Sequence, residues 1–145
     1  MQLVYPSKKE AKKILDFVPS LQFSHPFSFG NTLIHGENLD ALSILLHKYN
    51  MYGKVDLIYI DPPFATNGIF TIGKEHTATV SASMKDSVAY EDTLVGEAFL
   101  EFLRERLIIA SHLLSDQGSI YLHIDYKIGH YVKIVMDEIF WCEKF

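Results

Sequence analysis

Asp61-Pro62-Pro63-Phe64 follow the apolar run Val55–Ile60 (VDLIYI) without a spacer. In open α/β sheets ligands collect at the carboxyl ends of strands, so this position is the first candidate for a site. The residue types ask for one kind of ligand. Asp61 offers a carboxylate acceptor, Pro62 a carbonyl on a restricted backbone, and Phe64 a flat aromatic face, while the two prolines remove two backbone donors. Such an acceptor-rich, rigid pocket beside a ring suits a group that donates N–H bonds and stacks. The exocyclic amino group of a nucleobase is one.

The surrounding sequence supplies elements to hold that segment. KKEAKKILDF at 8–17 has the composition of one short helix, stopped by Pro19. Residues 32–35 read as a short strand, followed by Gly36-Glu37-Asn38 and a helical spacing of Leu39, Leu42, Leu45 and Leu46. VDLIYI reads as a parallel strand covered on both faces. From about 65 to 93 the chain turns to Thr, Ser, Gly, Lys and Asp with no sustained period, which predicts a long mobile loop. Helical spacing resumes with Phe99, Phe102, Leu103, Ala110, Leu113 and Leu114 on one face and Glu101, Arg104 and Glu105 on another, and Gly118 ends it. SIYLHI at 119–124 is a third strand. Asp125 then caps a helix that buries Val132, Val135, Met136 and Ile139. This β-α-β-α-β-α order predicts an α/β fold with a parallel sheet and flanking helices.

Composition narrows the class. The chain has 145 residues, 48% hydrophobic and 21% charged, a globular balance for one domain at most. A net charge of −5 has the wrong sign for a surface that embraces a polyanion all over, so any such ligand is gripped locally. Cys142 is the single cysteine, no apolar run has the length of a membrane span, and no signal peptide is present, which predicts a soluble cytoplasmic protein. Neither a G-x-G-x-x-G nor a P-loop pattern occurs.

VDLIYIDPPF resembles motif IV, the Asp/Asn/Ser-Pro-Pro-aromatic signature, of S-adenosylmethionine-dependent DNA amino-methyltransferases. LIHGENLDAL before it and FLEFLRERLIIASHLLSDQGSIYLHIDYKIGHYVKIVMDEIF after it resemble the β-group enzymes, in particular the modification subunits of Type III restriction systems. The resemblance runs from about residue 33 to 140. It implies a partial Rossmann-like methyltransferase fold, with a helical extension at 1–30 and the N-terminal half of a catalytic domain at 31–145. It also implies that Asp61 and the Pro62 carbonyl accept the target amino group beside Pro63, and that Phe64 stacks on the flipped base. An acidic first residue in the motif points to adenine N6. The cofactor that the resemblance implies is S-adenosyl-L-methionine, with Glu37, Asn38 and Asp125 as candidates to hold it. Thr66, Asn67, Lys74, Lys85 and Tyr90 of the loop are candidates to touch double-stranded DNA.

The β-group order puts the Phe-x-Gly-x-Gly cofactor segment and the target-recognition region later in the chain, and this sequence contains neither. By that analogy two strands between the 32–35 strand and VDLIYI belong to the later half, leaving a central gap in the sheet. The expectation is a fragment whose partners are a missing C-terminal half, a restriction subunit and a second copy of itself. Two rivals stand beside the adenine reading: methylation of cytosine N4, RNA or a protein amide, and an inactive remnant that only binds a partner.

Other residues favour plainer roles. Glu37 and Asn38 can open the following helix, and Asp125 can be an ordinary cap. The seven histidines show no close His-x-x-x-His pair or cysteine cluster, so no metal is expected. His123 reads as structural, Lys8, Lys9, Lys12 and Lys13 as a solvated helix face, and Cys142 as a packed thiol.

Overall fold

The computed structural model describes residues 2–24, 30–62, 69–72, 77–78, 87–91 and 96–140, with those between 69 and 91 described through their backbone. In chain order they form α1 (Ala11–Leu15), α2 (Asn38–His47), β1 (Val55–Ile60), β2 (Ile69–Ile72), β3 (Thr77–Ala78), β4 (Ser87–Glu91), α3 (Gly96–Leu113), β5 (Leu114–Leu122) and α4 (Tyr126–Phe140). β1 and β5 pair in parallel as one sheet, and β3-β2-β4 form a separate antiparallel sheet. An α/β arrangement of a parallel pair with flanking helices is therefore present. No helix among the described residues is long and apolar enough to cross a membrane.

α3 is the centre of the packing. Its Phe99, Leu103 and Leu107 meet Val132 and Val135 of α4 and, from the sheet, Ile60, Ile120 and Leu122. A second cluster joins its Ile108, Ile109 and Leu113 to Ile14 of α1 and Leu46 of α2. Each such side chain, fully removed from water, contributes about 1.5–3 kcal/mol. The two clusters lie on different sides of one helix, so the charged face that the spacing predicts for solvent is enclosed as well. Glu101, Arg104, Glu105 and Arg106 are all buried. They are tolerated because each has a partner: Arg104 Nη1 donates to Glu101 at 3.1 Å and to the Lys9 carbonyl at 3.0 Å, and Lys9 Nζ pairs with Glu105.

These partners also explain why α1 is shorter than the sequence predicts. The Lys9 N–H donates to Glu101 Oε1 at 3.0 Å, and Lys8 Nζ reaches Glu138 Oε2 at 2.7 Å. The backbone there is tied to α3 and α4 rather than wound into a helix. Two of the lysines read as a solvated face are thus anchors, and Ile14 ties the 1–30 segment into the same core.

Three further expectations are corrected. Residues 32–35 form no strand and Leu33 is 95% exposed, because a strand exists by its ladder and no described strand lies beside this segment. The segment read as a structureless loop at 65–93 contains β2, β3 and β4, whose antiparallel pairing rests on contacts that composition does not reveal. Among the described residues the sheet of β1 and β5 is covered on one face: α3 and α4 pack on the Ile60, Ile120 and Leu122 side, while Leu57, Tyr59 and Tyr121 are 60%, 67% and 59% exposed.

Two glycines set how β1 and β5 meet. Gly53, at φ 64°, turns the chain after α2 so that its N–H and that of Lys54 donate to the His112 and Leu113 carbonyls at 2.9 and 3.0 Å. The last turn of α3 is thereby satisfied. Gly118 does not end the helix, which stops at Leu113; it lies in a bulge of β5. Val55 opposes Leu114 and Leu57 opposes Ser119, so residues 115–118 face Asp56 alone. A Cβ on Gly118 would fall 2.8 Å from the Val55 carbonyl oxygen and 2.7 Å from Leu114 Cδ1.

In urea unfolding, Leu107→Ala should lower stability by about 2–5 kcal/mol through the cavity it leaves. Gly118→Ala should cost about 1–3 kcal/mol through overpacking. Tyr59→Ala, on the bare face, should stay within about 0.5 kcal/mol of wild type.

Candidate functional site

Parallel pairing brings the carboxyl ends of β1 and β5 to one edge, where β1 continues into Asp61 and Pro62 and β5 into His123. The ladder extends past the strands, with the His123 N–H donating to the Ile60 carbonyl at 2.9 Å. His123 Nδ1 then lies 3.0 Å from Asp61 Oδ1. An ionised carboxylate only accepts, so Nδ1 carries the proton in this contact. The two side chains are 59% and 58% exposed. Strand alternation puts Asp61 on the side of Tyr59 and Leu57, and His123 on the side of Tyr121. The pair therefore stands at the end of the uncovered face. Pro62 is buried beside it.

Glu37 and Asn38 are gathered by Arg106 of α3. Arg106 donates to Glu37 Oε1 at 2.5 Å, to Asn38 Oδ1 at 2.6 Å and to the Phe102 carbonyl at 2.7 Å, with its guanidinium 3.5 Å from the Phe102 ring centroid. Glu37 also caps α2 by accepting the Leu39 N–H at 3.2 Å. Partial burial would raise the Glu37 carboxyl, but the Leu39 N–H and the Arg106 guanidinium outweigh it and hold the group below its ordinary range. Burial likewise lowers Arg106, against the opposing pull of Glu37, Glu105 and Asp40. The Glu37 carboxylate remains more than half exposed, an acceptor suited to a hydroxyl or amine of a bound cofactor.

Asp125 accepts the Lys127 N–H at 2.8 Å on Oδ1, and the Ile128 and Gly129 N–H groups on its carbonyl, so it opens α4 as a cap. Of the loop candidates, Tyr90 lies in β4 opposite Phe70. Thr66, Asn67, Lys74 and Lys85, together with Pro63 and Phe64, lie outside the described residues. Among the described residues no group of three or more His, Cys, Asp or Glu side chains could hold a metal ion. Sequence reasoning missed His123 as a neighbour of Asp61. The signal available was its place one residue past β5, which a parallel register brings opposite the residue one past β1. Arg106 was missed because its charge reads as solvated on a helix that is buried nearly all round.

A sequence profile of the DNA methylase family matches residues 55–145. The chain is 38% identical to the Type II methyltransferase M.EcaI of Enterobacter cloacae over 79% of its own length and 22% of that protein's. It is 37% identical to the probable type III restriction-modification enzyme HindVI Mod subunit of Haemophilus influenzae, over 76% of the chain and 12% of the relative. It is 31% identical to the type III restriction-modification enzyme StyLTI Mod subunit of Salmonella typhimurium, over 92% and 23%. The chain thus spans less than a quarter of the length of each of these relatives.

Glu37→Gln should lose a stability contribution that depends on pH with a definite sign. Because the folded carboxyl lies below its ordinary value of 4.5, that contribution is complete above 4.5 and disappears as pH falls through the folded value. Urea midpoints of the two proteins should therefore differ near neutrality and converge in acid; a constant difference would show that the ion pair and cap are not its source.

Proposed function

Because the chain belongs to the DNA methylase family, we propose that it carries the amino-group acceptor site of an S-adenosylmethionine-dependent DNA methyltransferase of a restriction-modification system, acting on adenine N6. The observation that carries this reading is the exposed Asp61 carboxylate at the end of β1, fixed at 3.0 Å by His123 and followed directly by Pro62. An acceptor so placed takes an N–H of the target amino group and aims the nitrogen lone pair. Phe64 supplies the stacking face for a base drawn out of the duplex, worth about 1–3 kcal/mol. S-adenosylmethionine, when bound, would supply an electrophilic methyl on its sulfonium: the C–S electron pair would return to sulfur as the amino nitrogen takes the methyl, and the proton that nitrogen then releases would pass to water. This chain's contribution is orientation and electrostatics, with neither a metal nor a covalent nucleophile. Glu37, whose carboxylate stays more than half exposed, is this chain's candidate to accept from the cofactor.

Double-stranded DNA is the substrate partner. The relatives' names as Mod subunits of type III restriction-modification enzymes support a restriction subunit as a further partner, and their greater length supports a missing C-terminal half; a second copy of the chain is proposed on the family resemblance alone. One observation favours a second reading, a remnant that only binds a partner: the uncovered face bearing Leu57, Tyr59 and Tyr121.

Labelled S-adenosylmethionine and duplex DNA, incubated with this chain and with the longest product of its gene, should give methyl transfer to adenine. Asp61→Ala should slow transfer about 100- to 1,000-fold, the scale for removing one oriented polar group from a reaction site. Cofactor binding should survive. Loss of both would make Asp61 a cofactor or folding residue, and absence of transfer from every product would favour the remnant.

A further inference from the structure

We propose that His123 is a positioning residue for Asp61, holding one carboxylate oxygen so that the other meets the target amino group. The inference rests on the methyl-transfer reading above and adds to it a residue that the Asp-Pro-Pro-Phe segment does not contain. Its first support is the hydrogen-bonded register: β1 and β5 are paired through Ile60 and Leu122, and the His123 N–H donates to the Ile60 carbonyl at 2.9 Å, which continues that register past the strands. Backbone pairing thus fixes where the imidazole leaves the chain. Its second support is chemical. Asp61 sits just past a strand end with more than half its side chain in solvent, where a carboxylate turns freely about its terminal torsion unless something holds it. The Nδ1–H at 3.0 Å from Oδ1 removes that freedom. Oδ1 is engaged and Oδ2 is directed, which matters because a misplacement of about 1 Å at a reacting group can cost about 100-fold in rate.

The arrangement also fixes the imidazole tautomer, since a ring whose Nδ1 proton is held by a carboxylate differs in its nitrogen chemical shifts from one protonated at Nε2. This gives a readout independent of activity.

Nitrogen-15 spectra of the chain at alkaline pH should show His123 as the Nδ1–H tautomer, and Asp61→Ala should abolish that preference. In the product that transfers methyl, His123→Ala should lower kcat about 100-fold, with KM for S-adenosylmethionine unchanged. His123→Asn, whose amide N–H can occupy the place of Nδ1–H, should recover most of that loss. A purely structural histidine would lower stability in both variants without this split. Wild-type kcat in His123→Ala, equal damage in His123→Asn, or an Nε2–H tautomer in the wild type would each overturn the role. Absence of transfer from every product would instead overturn the methyltransferase reading and this role with it, while the tautomer result still reports whether the pair exists.

Discussion

The packing around the β1–β5 pair depends on satisfying four charged side chains on a helix that is largely buried from Phe99 to Leu113. α3 is enclosed by α1 and α2 on one side and by α4 and the β1–β5 sheet on the other. Glu101, Arg104, Glu105 and Arg106 are therefore withdrawn from water, and a charge left alone there would cost several kcal/mol. Each is answered by a particular neighbour. Glu101 takes the Tyr5 hydroxyl at 2.5 Å and the Lys9 N–H, Arg104 takes the Lys9 carbonyl, and Arg106 takes the Glu37–Asn38 turn. Burial, and then the Glu101 acceptor, push the Tyr5 phenol well above its ordinary range. These contacts make α3 the template on which the N-terminal segment and the opening of α2 are laid.

From that template the same constraint reaches the strand ends. α3 leads into β5 without a loop, so the position of β5 follows from the helix, and the bulge at 115–118 then decides its register against β1. Ser115 Oγ donates to Asp56 Oδ1 at 2.9 Å across the bulge, and Gly118 permits the close approach. A shift of one residue would exchange the faces of every side chain that follows. His123 would leave Asp61, and Leu122 would move from the core to the open face. A glycine far along the strand from the carboxylate therefore bears on the geometry of the acceptor.

Much of this was legible in the residues. VDLIYI ending at Asp61-Pro62 is a strand, Phe99, Leu103 and Leu113 lie in a helix, and Asp125 opens the helix that buries Val132 and Val135. These elements are written locally, in period and capping. What escaped was tertiary. A charge looks solvated until its partner is known, and Lys9 and Glu37, which answer Glu101 and Arg106 from outside the helix, lie more than sixty positions away. Residues 32–35 have the composition of a strand, but composition supplies no neighbour to pair with. In β2, β3 and β4 pairing is won without an alternating apolar pattern. Of the acceptor segment, the strand end was legible, while the approach of His123 required knowing that the two strands are parallel and in what register.

The uncovered sheet face and the Asp61–His123 pair belong to one geometric fact. Leu57, Tyr59 and Asp61 share a side of β1, and Tyr121 and His123 share the corresponding side of β5. Any polypeptide or ligand that lies on the tyrosines extends, along the strand direction, over the carboxylate and imidazole. Covering the tyrosines is favourable, since large apolar surfaces leave water. Covering the pair is not, unless its remaining hydrogen-bonding capacity is met, because desolvating a carboxylate costs more than one imidazole contact returns. An apolar cover is thus tolerated up to Tyr59 and Tyr121 and excluded beyond them, where an occupant must bring N–H donors. The same lowering of local dielectric that makes an unpaired Asp61 costly strengthens its bond to a donor that fits. Discrimination at the strand end follows from that asymmetry: a group with an N–H directed at the carboxylate is retained, and one without it leaves a buried charge unmet.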